Sequence, residues 1–292
     1  MEQLQNNPIV FTSLHEEGNH STSTSGDPYL ESWLDLVSID TKYTIAFWFE
    51  TFILCHSLYT LFSPNWLRKA GWNVAEDNIP QAAYDWFFLR STAALLTHSL
   101  YWLLYNALRL NPSGAYVHAM LPFGILCLSS IVKNDEKQRN ISIKADIQGF
   151  IIVLTLLVLF HTNSPYLTLV EKISNAVAMA IGLLFYLSPT LISRAYNVPP
   201  HYLDNRVMLR HMNYFGHSML FMATLGSALV WQEKQDDDGR EISLLALGTS
   251  ILLSVVLNAI MIADADLFFS SRVYPYLCYL LFLVIGTILL IL

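Results

Sequence analysis

Eight long, mostly apolar stretches follow one another along this chain: Tyr43–Phe62, Phe87–Leu110, Ala115–Val132, Ile147–Thr162, Ile173–Ile192, His211–Trp231, Ile242–Ala263 and Tyr274–Leu292. A bilayer core of about 30 Å is crossed by about 20 residues of α-helix, and most of the stretches come close to that length. They are continuous rather than alternating, so they predict helices and not the strands of a membrane barrel. The stretches at Ala115 and Ile147 are the shortest, which leaves seven spans as the alternative count. Only 13% of the residues are charged, against about 25% in soluble domains. That is too little polar surface to cover a water-soluble globule of 292 residues. The expected fold is an all-α, polytopic transmembrane helical bundle with lipid as its main partner.

Loop charges set the orientation. With eight spans, Arg68, Lys69, Lys133, Lys137, Arg139, Lys144, Arg194, Arg206, Arg210 and Arg272 fall on one side, and only Lys42, Arg109, Lys172, Lys234 and Arg240 on the other. The richer side is expected in the cytosol, with both termini lumenal or extracellular, in the endoplasmic reticulum or another endomembrane. Residues 1–42 form an acidic tail with no basic residue before Lys42, rich in Ser, Thr, Gly and Glu between His15 and Pro28, and read as disordered. That tail lacks the basic segment and apolar core of a signal peptide. Its Asn19-His20-Ser21 triplet is a glycosylation sequon on the lumenal side, at Asn19. The net charge of −7 and scattered Lys and Arg exclude a nucleic-acid partner. Cys55, Cys127 and Cys278 lie within apolar runs without a disulfide or zinc spacing, and read as small hydrophobes. Nothing in the composition sets an oligomeric state.

The chain also matches itself. Ser63-Pro64-Asn65-Trp66-Leu67-Arg68-Lys69-Ala70-Gly71-Trp72-Asn73-Val74 closes the first run, and Ser188-Pro189-Thr190-Leu191-Ile192-Ser193-Arg194-Ala195-Tyr196-Asn197-Val198 closes the fifth. With Gly71 removed, Ser-Pro, a basic residue, Ala, an aromatic and Asn-Val align in order. The following runs continue the match, Leu89-Arg90 before His98-Ser99 and Leu209-Arg210 before His217-Ser218. The match predicts two four-helix halves, 43–165 and 166–292, of one topology, related by an axis along the membrane normal. The Arg-to-His spacing is eight in one half and seven in the other, a slip that turns the His by about 100°.

Ionisable residues inside spans cost roughly 2.5–3.5 kcal/mol on insertion scales, so each needs a reason. Glu50 stands within Phe47-Trp48-Phe49-Glu50-Thr51-Phe52. A neutral carboxylic acid in an apolar pocket is a proton donor, which makes Glu50 the first candidate for acid catalysis; the other reading is a hydrogen bond to a neighbouring helix. His98 and His217 are candidates to face each other across the repeat axis as relays or substrate contacts, or to be packing residues. Asp264 and Asp266 close the seventh run, and with Asp85, Asp204, Arg90 and Arg210 they point to a polar rim on the cytosolic face; Asp85 and Asp204 also suit ordinary helix starts. Trp48 and Trp102 are candidates to shelter a developing cation, or members of aromatic belts. Without an HxxxH or HxH spacing, no metal is expected. No nucleotide, hydrolase or metalloprotease motif appears.

In size, helix count and acid-plus-aromatic content the whole chain resembles fungal membrane-bound terpene cyclases of meroterpenoid pathways, a resemblance of architecture without a motif to transfer residue by residue. The Ser-Pro and Arg…His-Ser segments are also similar to small four-helix DoxX-like membrane proteins, in tandem. The first resemblance implies a lipophilic, isoprenoid-like substrate of secondary metabolism and acid-initiated cyclisation or isomerisation without metal or organic cofactor. Glu50, Asp264 or Asp266 would give the proton and His98 or a second carboxylate would remove one. The substrate would lie among Trp48, Trp102, His217, Arg90 and Arg210. The alternatives are a transporter or channel between the two halves and a non-catalytic scaffold.

Overall fold

The computed structural model describes residues 38–63, 79–133, 139–230, 239–263 and 273–290, and all regular structure among them is helical. The elements are α1 (Ile39–Phe62), α2 (Gln81–Asn106), α3 (Pro112–Ala119), α4 (Leu121–Lys133), α5 (Lys144–His161), α6 (Leu167–Leu187), α7 (Pro189–Ala195), α8 (Pro200–Asp204), α9 (Arg206–Val230), α10 (Gly239–Ala263) and α11 (Val273–Leu290). Local chemistry sets several ends. Ser38 caps α1 by accepting from Thr41 N. Asn111 caps α3, accepting from Gly114 N at 2.6 Å with Pro112 in the first turn. The Ala115 run breaks at Met120 between α3 and α4, next to Pro122, which has no N–H to continue the ladder.

The run expected at Ile173–Ile192 shifts. Its helix, α6, begins at Leu167, taking Glu171 and Lys172 inside, and ends at Leu187 where Ser188-Pro189 stops it. The cap of α1 at Ser63 (φ −133, ψ 59) and that of α6 at Ser188 (φ −144, ψ 64) share one conformation, each N–H returning to the carbonyl four residues back. Residues 64–74, the rest of the first Ser-Pro segment, lie outside the described residues, as do Asn19 and the acidic loop 231–238.

Five segments are long and apolar enough to cross a membrane: α1, the α3–α4 pair, α5, α6 and Glu241–Ala259 of α10. The described apolar part of α11, Tyr276–Leu290, is shorter. The long helices α2 and α9 fall outside this set because they carry more polar residues, Arg90, Thr97 and His98 on one and His211, Asn213 and His217 on the other. Their position explains the composition. Both are buried along most of their length, with α1 and α4 against α2, α6 and α10 against α9, and each other in between. Large apolar side chains such as Phe52, Ile151, Leu154, Val158 and Leu280 cover the outside, the surface that lipid would solvate.

Ring and polar contacts give the directions. Tyr84 meets His211, Phe87 meets Phe215 and His98 meets Phe221, so α2 and α9 run parallel. Tyr43 meets Trp102 and Glu50 meets His98, so α1 runs antiparallel to α2. Gly182 and Phe185 meet Gly216 and Phe215 while Asn175 meets Gly226, so α6 is antiparallel to α9. Contacts run α1–α2, α2–α3, α2–α4 and α4–α5 in the first part of the chain, and α6–α9, α9–α10 and α10–α11 in the second. Across the middle, α1 touches α10 and α11, and α6 touches α3 and α5.

Candidate functional site

Among the described residues, three buried polar centres interrupt the apolar interior. The first lies where α1, α2 and α9 meet. Glu50 and His98 are both wholly buried, with His98 Nε2 3.3 Å from Glu50 Oε1 and His98 Nδ1 3.3 Å from the Phe221 carbonyl. A carbonyl only accepts, so Nδ1 carries the proton of that bond. The second bond is then either a protonated Glu50 donating to neutral imidazole or an imidazolium donating to carboxylate. The pair is neutral in both forms, with one proton between Oε1 and Nε2, which is how an acid and a base are tolerated there. The Phe221 ring stacks on His98 with centroids 3.8 Å apart, and His217 lies on the same ring at 6.4 Å. Phe221 thus fills the space between the two histidines. His217 turns the other way, its Nε2 2.8 Å from Ser254 Oγ on α10, with Asn258 Nδ2 at 3.4 Å. His98 thus joins α2 to α1, while His217 joins α9 to α10.

The second centre is ionic. Asp146, wholly buried at the start of α5, accepts from Arg90 Nε at 2.9 Å and Arg90 Nη2, Arg139 Nη2 at 2.7 Å, Ser130 Oγ at 2.9 Å and Trp86 Nε1 at 3.3 Å. Both guanidiniums are buried, and Arg90 lies 4.1 Å above the Trp86 ring. Arg139 also donates to Ser130 Oγ at 2.6 Å and to the Ile141 carbonyl at 3.1 Å. Outside the spans, burial pushes the Tyr202 hydroxyl up from its ordinary value and keeps it a donor, to the Arg139 carbonyl at 2.9 Å.

The third centre surrounds Glu171 of α6, wholly buried, whose Oε2 accepts from Ser113 Oγ at 2.8 Å and whose Oε1 has no hydrogen-bond partner. One turn on, Ser174 Oγ meets the Tyr116 hydroxyl at 3.1 Å, and the Glu171 carboxyl acts electrostatically on that phenol.

A cavity of about 410 Å³ joins the second and third centres, within the range of about 300–1,000 Å³ usual for ligand pockets. Arg90 and Trp86 line one part, Tyr116 and Ser174 another, and Phe123, Phe185, Phe215, Met219 and Met222 contribute apolar wall. Ile151 and Val177, on the outer surfaces of α5 and α6, also line it, so it reaches the lipid-facing side where these two helices meet.

The residues singled out from sequence therefore scatter. Glu50 joins His98, but neither lines this cavity. Arg90 does line it, whereas Arg210 is half-buried elsewhere and acts on Tyr186. Trp102 is wholly buried against Tyr43. Trp48 is 65% exposed on the outside of α1, a lipid-belt position and not a cavity wall. Asp264 and Asp266 lie outside the described residues, Asp204 is exposed and Asp85 is bonded to Gln81. Among the described residues no cluster of His, Cys, Asp and Glu is arranged to hold a metal. Asp146, Arg139 and Glu171 were not singled out; the signal at Glu171 is an acid at the fifth position of what proves to be a helix, and at Asp146 an acid adjoining an apolar run. Comparison with protein-family models, curated proteins and solved structures gives no match for the chain.

Proposed function

We propose that this protein is a multi-pass membrane enzyme that takes a lipophilic, isoprenoid-like substrate from the bilayer into the cavity lined by α2 through α6 and α9 and rearranges it by acid-initiated cyclisation or isomerisation. The observation that carries the reading is the cavity itself: aromatic and aliphatic walls, an edge among lipid-facing side chains, and proton-bearing hydroxyls beside a buried acid. In this reading the chain crosses the membrane eight times as two tandem halves, supported by the parallel α2 and α9 and the matching caps at Ser63 and Ser188.

The proton comes from Glu171, which stands one turn from Ser174 and outside the lining, by way of the Tyr116–Ser174 hydroxyl pair that borders the cavity. It passes to an epoxide oxygen or a terminal alkene carbon; the C–O or C=C π bond breaks, an internal alkene supplies the electron pair of the new C–C bond, and a neighbouring C–H proton returns to the protein. Substrate and product are isomers, so no oxidant or reductant enters. The rings of Trp86, Phe185 and Phe215 lie along the path and favour the cation.

The test is incubation of the protein in lipid nanodiscs with epoxidised polyprenyl phenols, followed by mass spectrometry. An isomer of unchanged mass and new retention is expected. Glu171→Gln should remove it, Ala178→Phe should block it by filling the cavity, and Glu50→Gln should leave it. Turnover that survives Ala178→Phe in folded protein overturns the assignment of the cavity. Tandem parallel halves also suit a carrier, the second reading; solute flux in proteoliposomes would support it.

A further inference from the structure

Among the described residues the charges around the inner end of the cavity do not balance. Arginine stays protonated in proteins, so Arg90 and Arg139 bring two positive charges, and both are buried. Among the described residues the acid facing them is Asp146 alone. Asp146 already accepts five donor contacts, from Arg90 twice, Arg139, Ser130 and Trp86, whereas a carboxylate offers about four lone-pair sites. It has no capacity for a further donor, while the guanidiniums do. Arg90 uses three N–H groups, two on Asp146 and one on the Trp86 carbonyl, of the five that an arginine has. Counted over the described residues, one of the two positive charges in this low-dielectric wall has no acid of its own, and Arg90 has donors to spare. A buried charge without a counter-charge is costly. Of the two guanidiniums, Arg90 is the one that lines the cavity.

We propose that the cavity binds an amphipathic anion, its carboxylate or other acidic group on Arg90 and its apolar body along Phe123, Phe185, Phe215 and Met219. The inference rests on the cavity being the site of a lipophilic ligand and adds the class of that ligand: a long apolar chain ending in an acid, not a neutral hydrocarbon or alcohol. The geometry suits one end of such a molecule and not the other. Arg90 is the charged group of the lining, and apart from Gln148, Tyr196 and the Tyr116–Ser174 pair the rest is mostly aliphatic and aromatic. The negative group sits on the Arg90 guanidinium, and the chain is left with its far end near the Tyr116–Ser174 pair. Such an anion can come from a free acidic lipophile or from the head of an anionic membrane lipid.

Purified full-length protein in nanodiscs of zwitterionic lipid is titrated with geranylgeranoic acid and with the matching alcohol, geranylgeraniol, following tryptophan fluorescence and thermal stability. The acid is expected to bind about tenfold or more tightly than the alcohol, the gain of a charge-assisted hydrogen bond. Arg90→Gln should erase that preference while leaving alcohol binding in place, and the comparison cancels any difference in how the two probes partition into lipid. If Arg90→Gln does not fold, Arg90→Lys, which keeps the charge but loses the fork, should lower the preference severalfold. Adding anionic phospholipid to the nanodiscs identifies the source: competition with the acid assigns the site to a lipid headgroup, and its absence to a free acid. Equal binding of acid and alcohol, or a preference that survives Arg90→Gln, overturns the anion site and leaves the cavity reading standing. If neither probe binds, both fall.

Discussion

His98 Nδ1 and Nε2 face fixed partners, the Phe221 carbonyl and Glu50 Oε1, and this decides what substitution at Glu50 should do. Glu50→Gln keeps a donor for Nε2 and should be tolerated within about 1 kcal/mol. Glu50→Ala leaves a buried imidazole nitrogen unpaired and adds a cavity, and should cost about 2–4 kcal/mol. Asp146 is the more demanding position. Asp146→Ala strands two buried guanidiniums and should cost about 3–5 kcal/mol, enough to abolish folded protein. Thermal unfolding of the three variants in one detergent checks the order, and an Asp146→Ala variant as stable as the parent would remove the ionic centre as a structural element. Neither partnership was legible along the chain. Glu50 announces itself as an acid among aromatics, but its partner is 48 residues away, and only the packing of α1 on α2 brings them together. Asp146 and Arg90 are 56 apart.

Between elements, the closest approach lies between α6 and α9. A Cβ at Gly216 would fall 2.7 Å from the Gly182 carbonyl and 2.8 Å from Phe185 Cβ, and one at Gly182 would fall 2.9 Å from the Gly216 carbonyl. Backbone atoms cannot move aside as a side-chain end can, so Gly216→Ala must part the helices. The expected loss is about 1–3 kcal/mol, read as a lower midpoint in thermal unfolding. Ala at Gly149 meets Cys127 Sγ at 3.0 Å and the rim of the Phe123 ring at 3.1 Å, atoms of side chains with room to shift toward the cavity, and should cost less. A proline and a cap move two helix boundaries off the apolar runs: Ser188-Pro189 ends α6 five residues before Ile192, and Asn111-Pro112 starts α3 ahead of Ala115. The start of α6 also departs from its run, because Glu171, outside that run, finds Ser113 inside the bundle.

For the whole molecule, tandem halves of four helices require an even number of crossings and termini on one side of the membrane. Glycosylation reporters fused to either end should then give the same answer, lumenal, with Asn19 itself modified; reporters that disagree would make the number of crossings odd and overturn the duplication. Co-expression of residues 1–165 with 166–292 should restore a complex that neither part forms stably alone, since α2 and α9 pack on each other at the centre.

The succession of apolar runs by itself determined that the chain is helical, because backbone polar groups surrounded by that much oil must be satisfied within each segment. It also located the polar residues that demand explanation on α1, α2 and α9. Which helices stand at the centre was decided only by tertiary structure, since α2 and α9 differ from their neighbours in polarity by amounts that have meaning only once the others surround them. The cavity is likewise a property of packing: its lining draws on α2 through α6 and on α9, and no local pattern encodes the distance between side chains so far apart along the chain.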